Sequence, residues 1–322
     1  CSRPGTGAGS TDGKGMKDSP YFDQVRLILK VLPYIAAEDR FALKGGTAIN
    51  LFVRNMPRLS IDIDLTWLPL EPRHEALNNI SAALINISDA IQAKIYGSVV
   101  RQSRLQGTDH IVRLTVQTPE AMIKIEPNLV IRGVVLPSEK RELCNAAEET
   151  FELTTTAITA SMADLYGGKL CAALDRQHPR DIFDIKVLME NEGITKEIRT
   201  AFIVYLASHD RPINELLEPN RVDFRHAFNR EFAGMTLSHV DYYGLAAVRE
   251  RIIQTINQAL TENERKFLLS IKLGQPDWGL LPLSGLEQLP AIQWKLMNIQ
   301  KMGKAKHVEA VDRLKGIGMV AL

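Results

Sequence analysis

Ser60-Ile61-Asp62-Ile63-Asp64-Leu65 sets two carboxylates two residues apart in an otherwise alternating stretch. In an extended strand successive side chains point to opposite faces, so Ser60, Asp62 and Asp64 share one face and Ile61, Ile63 and Leu65 share the other. One face can enter a core while the other holds two acids side by side. Carboxylates that close repel unless a cation lies between them, and hard oxygen ligands of this kind suit Mg²⁺ or Mn²⁺. The strand reads as half of a metal site. A solvated face of an ordinary amphipathic strand carries the same Asp-x-Asp, so the neighbouring segments decide between the two.

Upstream, Lys44-Gly45-Gly46-Thr47 stands between the apolar run Phe41-Ala42-Leu43 and Ala48-Ile49-Asn50-Leu51-Phe52, which has helical character. A glycine pair between strand and helix lets backbone N–H groups approach a phosphate at a helix N-terminus, where the dipole favours negative charge. The same residues also make an N-capped turn. A phosphate cradle followed by an acidic strand is the rarer conjunction. Two metal ions clamping a phosphoryl group need a third carboxylate. Glu126 is the candidate: it shares a face with Lys124, opposite Ile123 and Ile125, in another alternating stretch. Its ordinary alternative is an exposed glutamate at a strand end.

Further on, Leu165, Leu170, Ala173 and Leu174 recur at helical spacing between Met162 and Arg176, with Asp164 early and Arg176 late, as the helix dipole prefers. Lys169 therefore lies on a helix, directly after Gly167 and Gly168. Each glycine weakens a helix interior by about 1 kcal/mol relative to alanine, so something must approach that backbone closely, either a nucleotide or a neighbouring element. Pro179 suits a helix start. Asp181 then falls in the first turn and Asp184 one turn later on the same face, where both would stabilise the dipole with Arg176 or Arg180 as an ionic partner. Arg54, Arg58 and Arg73 either bind triphosphate or RNA or balance these acids.

These segments resemble a known family. Leu43 to Leu51 followed by Arg58 to Leu65 is similar to the first motif of the AbiEii/AbiGii-type nucleotidyltransferase toxins, a branch of the DNA polymerase β-like superfamily. Lys169 to Leu174, Arg176, and Pro179-Arg180-Asp181-Ile182-Phe183-Asp184-Ile185 resemble that family's later lysine and Arg-Asp motifs. Leu260 to Leu269, with Pro276-Asp277-Trp278, resembles its tail. The resemblance spans roughly residues 35 to 280. It implies transfer of NMP from an NTP, with Asp62, Asp64 and Glu126 as ligands of Mg²⁺ or Mn²⁺. Gly45, Gly46, Thr47 and Ser60 would cradle the β- and γ-phosphates, Lys169 would neutralise them, and Asp181 would orient the base side or Lys169. It further implies a toxin acting in a toxin–antitoxin or phage-defence (abortive infection) pair, an acceptor such as the 3′ end of tRNA, and a separately encoded antitoxin. Two other readings use the same residues: a small-molecule nucleotidyltransferase of the antibiotic-modifying kind, and a nucleotide-binding interaction module without turnover.

The whole chain agrees with an enzyme of this sort. At 322 residues, 45% apolar and 24% charged, it can bury a sizeable core and is expected to hold two domains. A formal net charge of +1 gives no global footprint for nucleic acid, so RNA contacts must come from local patches. Three widely spaced cysteines, Cys1, Cys144 and Cys171, argue against a disulfide framework or zinc site. No apolar run reaches the roughly 20 residues that span a bilayer, and a cytoplasmic location is expected. Residues 1–15, rich in Gly, Ser and Thr without an apolar stretch, read as a remnant ahead of a native start at Met16 rather than a signal peptide.

The elements that must position the chemistry form an α+β protein. A helix is expected over 21–36, strands at 40–44, 60–67, 97–105, 110–118 and 121–127, and helices at 45–54 and 71–94. That is a small mixed-sheet, polymerase β-like nucleotidyltransferase domain over residues 16–137. A mainly helical domain over 138–280 is expected to complete the nucleotide cleft, with helices at 161–176, 180–192, 195–208, 224–233 and 242–273. Residues 281–322 form a basic C-terminal segment. There Ile292, Leu296 and Ile299 can pack inward while Trp294 and the lysines meet solvent or RNA.

Overall fold

Ile63 and Leu65 have no solvent exposure, and neither do Leu114, Val116 and Ile125 on neighbouring strands; this apolar face of the alternation is what assembles the sheet. In the computed structural model, residues 17–318 are described. The expectations for residues 1–15 and for a start at Met16 lie outside them. Seven strands form one mixed sheet, β1 (Phe41–Lys44), β2 (Asp62–Trp67), β3 (Val99–Arg104), β4 (Ile111–Gln117), β5 (Met122–Asn128), β6 (Glu139–Glu142) and β7 (Thr156–Thr159). Their order is β3-β4-β5-β2-β1-β7-β6, which puts the Asp-x-Asp strand at the centre. It runs antiparallel to β1 and parallel to β5.

Helix α1 (Phe22–Ala36) buries Val25, Ile28, Leu29, Leu32 and Ile35 and packs on β5 and β7. A short helix α2 (Gly45–Ala48) runs straight on from β1 and passes into a π-helical turn, Ile49–Val53. Helix α3 (Arg73–Lys94) crosses β3 and β4. The remaining helices are α4 (Asn145–Phe151), α5 (Met162–Asp175), α6 (Pro179–Glu190), α7 (Lys196–Ser208), α8 (Ile213–Leu217), α9 (Arg225–Ala227), α10 (Tyr242–Ala259), α11 (Glu262–Leu273), α12 (Pro290–Gln300) and α13 (Lys304–Gly316). Among the described residues no helix is long and apolar enough to cross a membrane.

The expected strands and helices up to residue 128 are present, and three features beyond it differ. The sheet does not end near residue 137, because β6 and β7 add two strands beyond β1. Strand β6 reads Glu-Lys-Arg-Glu and lies on a solvent-facing edge, so it has no alternation to betray it. The expected helix over 242–273 is two helices: Thr261 starts α11 with a capping box, its hydroxyl bonding the Glu264 N–H while the Glu264 carboxylate accepts from the Thr261 N–H. Residues 225–232 form a short helix and a π-turn rather than one regular helix.

Helix α5 packs most closely on α7, and Gly167 is why it can. A Cβ there would lie 2.8 Å from the Phe202 backbone nitrogen and 2.9 Å from the Ala201 carbonyl carbon, neither of which can swing aside. At Gly168 the nearest atom would be 3.8 Å away, on Tyr205. Gly167→Ala is therefore expected to destabilise by about 1–3 kcal/mol of overpacking, against about 1 kcal/mol of gained helix propensity, whereas Gly168→Ala keeps only the gain. Urea midpoints of the two variants check this, and equal midpoints would show that the α5–α7 approach does not fix Gly167.

Candidate active site

Strand register brings the acids together. Asp64 lies opposite Lys44 on β1 and opposite Glu126 on β5, and Asp62 lies opposite Lys124. Residues directly opposite across a ladder share a face. Lys44, Asp62, Asp64 and Glu126 therefore stand on the side of the sheet away from Ile63 and Leu65. A cavity of about 420 Å³ opens there, lined by Lys44, Gly45, Asp64 and Glu126 from the sheet side and by Lys169 and Arg176 from α5 and its C-cap. Burial pushes the Asp64 carboxyl above its ordinary pKa, with Lys44 and Lys169 pulling the other way. Burial lowers the Lys44 ammonium, opposed by Asp64.

Gly45 is the one place where the turn demands glycine. Its φ is +68°, and an added Cβ would overlap the Asp64 Oδ2. No side chain caps the first turn of α2, which begins there. At Gly46 a Cβ would come within 2.5 Å of the Arg58 Nη2 and 2.9 Å of the Ser60 Oγ. The first glycine thus makes room for a carboxylate and the second for a buried guanidinium.

That guanidinium belongs to an ionic cluster behind the cavity. Arg58, only 2% exposed, makes a fork with Asp184, Nε to Oδ1 at 2.8 Å and Nη2 to Oδ2 at 2.6 Å. Lys169 donates to the Asp181 Oδ1 at 2.9 Å and stands 3.1 Å from the Asp184 Oδ2. Arg176 covers Asp181 from the cavity side, with bonds of 2.6 and 3.0 Å. The Asn50 amide bonds both the Gly46 carbonyl and Asp184, tying the turn to α6. Burial alone would raise both aspartates, but Lys169 and Arg176 hold Asp181 well below the usual carboxylate range, and Arg58 and Lys169 lower Asp184.

Of the residues the sequence singled out, Gly45, Asp64, Glu126 and Lys169 line the cavity. Asp181 lies behind it, reaching it through Lys169 and Arg176. Thr47 and Ser60 are buried and bonded to each other at 3.0 Å, and the Thr47 hydroxyl also donates to the Asp62 carbonyl at 2.5 Å, so they brace the acidic strand. Gly46 leaves the space that the Arg58 guanidinium fills. Asp62 is partly exposed and takes Arg180 at 3.2 Å, and Glu126 takes Arg113 at 2.5 Å. Lys44 and Arg113 are neighbours of the acids to which the sequence patterns gave no role, and Arg180, expected as an ionic partner of Asp181 or Asp184, pairs with Asp62 instead. Lys44 was detectable only by pairing 41–44 against 64–67. Arg54 lies elsewhere, on Tyr166 and Glu192.

The all-oxygen donor set suits a hard divalent ion, with Asp62 and Asp64 on one strand face and Glu126 in register. Among the described residues, however, no three His, Cys, Asp or Glu side chains converge on a common centre. Arg180 pairs with Asp62 and Arg113 with Glu126.

The cluster predicts a strong asymmetry. Arg58→Met leaves Asp184, 1% exposed, with Lys169 and Asn50 alone, and is expected to cost about 3–5 kcal/mol in urea unfolding. Its pH sign follows from the lowered aspartates. Their stabilisation is present above the ordinary carboxylate pKa of about 4 and is lost as pH falls below it, towards their folded values. The wild-type protein should therefore lose stability steeply below about pH 4, and Arg58→Met less steeply; parallel acid slopes would contradict this.

Comparison with known proteins agrees with the geometry. The family model described as "Nucleotidyl transferase AbiEii toxin, Type IV TA system" matches residues 26–298. No curated protein sequence matches at a significant level. Among solved structures, the chain is similar to MenT4, a nucleotidyltransferase toxin from Mycobacterium tuberculosis H37Rv, with a TM-score of 0.57 at 16% identity over 96% of this chain and 99% of that one. At that identity the likeness speaks for the fold, and the family match speaks for the rest: with the Asp-x-Asp strand, the Gly-Gly turn and the Lys169/Asp181 cluster inside it, this chain belongs to the AbiEii family of nucleotidyltransferase toxins of type IV toxin–antitoxin systems.

Proposed function

We propose that the cavity under Asp64 is where this toxin binds the NTP and that Asp62, Asp64 and Glu126 make its transfer metal-dependent, the acceptor being the 3′ end of tRNA. The observation that carries the reading is the register that sets Asp64 between Lys44 and Glu126, over a cavity whose far wall is Lys169 and Arg176. A triphosphate brings negative charge to a cavity with two cations on its far wall and Lys44 beside Asp64, while the acids need a cation of their own.

In this reading Lys44, Lys169 and Arg176 attract the triphosphate, and the backbone N–H groups at Gly45 and Gly46 approach its β- and γ-phosphates. Lys169 is pre-positioned by Asp181 and Asp184, so no side-chain entropy is lost when the phosphate arrives. The three carboxylates would hold Mg²⁺ or Mn²⁺, which when bound supplies charge neutralisation at the transferring phosphoryl group. The acceptor hydroxyl attacks the α-phosphorus in line, the new O–P bond forms as the bond to the β-phosphate oxygen breaks, and pyrophosphate leaves. Arg180 and Arg113, which hold Asp62 and Glu126 in this structure, would have to give up those carboxylates for this. The product would be an NMP-capped tRNA unable to accept its amino acid, in the cytoplasm, countered by the cognate antitoxin and suited to phage defence.

Incubation with each α-labelled NTP and total RNA, followed by gel separation, tests the assignment. Asp62→Asn, at a partly exposed position, should fold like the parent and lose label transfer by about 100-fold or more. A variant that labels RNA as well as the parent overturns the acidic centre, and label that appears only in the small-molecule fraction overturns the tRNA acceptor.

A further inference from the structure

The end of β5 and the loop that follows it have two sides. Pro127, Asn128 and Ile131 line the cavity already described, while Leu129, Val130 and Arg132 line a second cleft of about 520 Å³ between this loop, the start of α3 and helix α12. Arg132 is 5% exposed, yet its Nε has no hydrogen-bond partner among the described residues. Its Nη1 donates only to the Glu71 backbone carbonyl, at 3.1 Å. The Glu71 carboxylate, the nearest candidate for a salt bridge, is taken by the Trp67 indole N–H at 3.2 Å and by the Asn79 amide at 3.1 Å. Arg73 lines the same cleft and bonds only the Leu129 carbonyl, at 3.3 Å. Neither arginine has an ion-pair partner among the described residues. A buried guanidinium with an unused N–H is costly unless an acceptor completes it.

The rest of the lining is mixed, with Glu71, Gln288 and Gln293 among apolar side chains, and the cleft is open to solvent. Trp294 on α12 is 38% exposed and Met297 44%, facing Val130 at 37% across the cleft. Two uncompensated arginines beside an exposed indole match a phosphate joined to a flat ring. They match the end of a single strand better than a duplex, whose bases are stacked away from side chains.

We propose that this cleft is the acceptor subsite, holding a nucleotide unit near the single-stranded end of a polynucleotide, its phosphate on Arg73 beside the Arg132 guanidinium and its base against Trp294. The shared loop then links the two clefts, so that the chain end leaving the second is directed toward the carboxylates of the first. This rests on the reading of the Asp64 cavity as the NTP site.

The test reads binding, not turnover, with the full chain and no NTP. Anisotropy of a short single-stranded RNA, labelled with fluorescein at its 5′ end, is titrated with wild type, Arg73→Gln, Trp294→Ala and Arg132→Gln. The first two substitutions are at exposed or half-exposed positions and keep the test valid should Arg132→Gln fail to fold. Each folded variant should weaken RNA binding about tenfold, and Arg73→Gln should reduce the salt slope of log K by about 0.7, while binding of a fluorescent NTP analogue stays at the wild-type level. Unlabelled CMP at the same nucleotide concentration should not displace the RNA. Wild-type RNA affinity in Arg73→Gln and Trp294→Ala overturns the proposal, including the case in which the cleft takes an acidic segment of a protein. Displacement by CMP also overturns it, in favour of a site for free nucleotide. If instead Asp62→Asn retains transfer while these RNA arms behave as expected, the acidic centre fails and the RNA cleft stands.

Discussion

Lys169 and Arg58 lie almost wholly out of water against Asp181 and Asp184, and this four-residue cluster is the constraint on which the site depends. Charges removed from solvent cost several kcal/mol each unless their partners and hydrogen bonds are all in place. The four charges are paired by drawing on four segments, Arg58 from the loop before β2, Lys169 from α5, the two aspartates from α6, and Asn50 from the turn after α2, whose Oδ1 has no partner among the described residues. No member can shift without exposing another as an unpaired buried charge. The helical part of the chain is thereby fixed against the sheet at the place where the cavity opens.

On the sheet side the corresponding constraint is steric. Asp64 sits under Gly45 with no room for a Cβ, and Arg58 sits under Gly46 in the same way. Thr47 and Ser60 spend their hydroxyls on each other and on the Asp62 carbonyl. The turn is locked to the acidic strand through side chains and to α6 through Asn50. The cavity wall is therefore preorganised on both sides, which is what a reaction governed mainly by positioning and charge neutralisation requires. Asp62 and Glu126 differ from this rigid frame. They are partly exposed and held by single arginines, so they are the carboxylates free to change partner.

Much of this was legible in the chain. The period-two pattern of 60–65 and 121–127 identified the faces of β2 and β5, and helical spacing placed Lys169 and Asp181 on consecutive helices. Gly167 was correctly read as marking a close approach, which is to α7, whereas at Gly168 no atom would come nearer than 3.8 Å to an added Cβ and that residue lines the cavity. Strand β6 escaped because a charged edge strand has no buried face to give it a pattern. The break at Leu260–Thr261 escaped because apolar periodicity runs through both helices, although Thr261 and Glu264 carried the capping signal.

The sequence by itself determined the local chemistry: which residues are acids on one strand face, which turn bends through glycine, which lysine rides on a helix. Those follow from the fixed periods of strand and helix and from the absence of a Cβ, and they hold whatever the fold. Only the tertiary structure decided which of these groups meet. Strand register put Lys44 and Glu126 on either side of Asp64, and burial turned Arg58 from a candidate phosphate ligand into the partner of Asp184. The fold also left the Arg132 Nε without a partner among the described residues, at a cleft that Trp294 also lines. Pairing across a sheet and the removal of a charge from water are non-local events, governed by what the rest of the chain brings to the same place, and no window of sequence contains both partners.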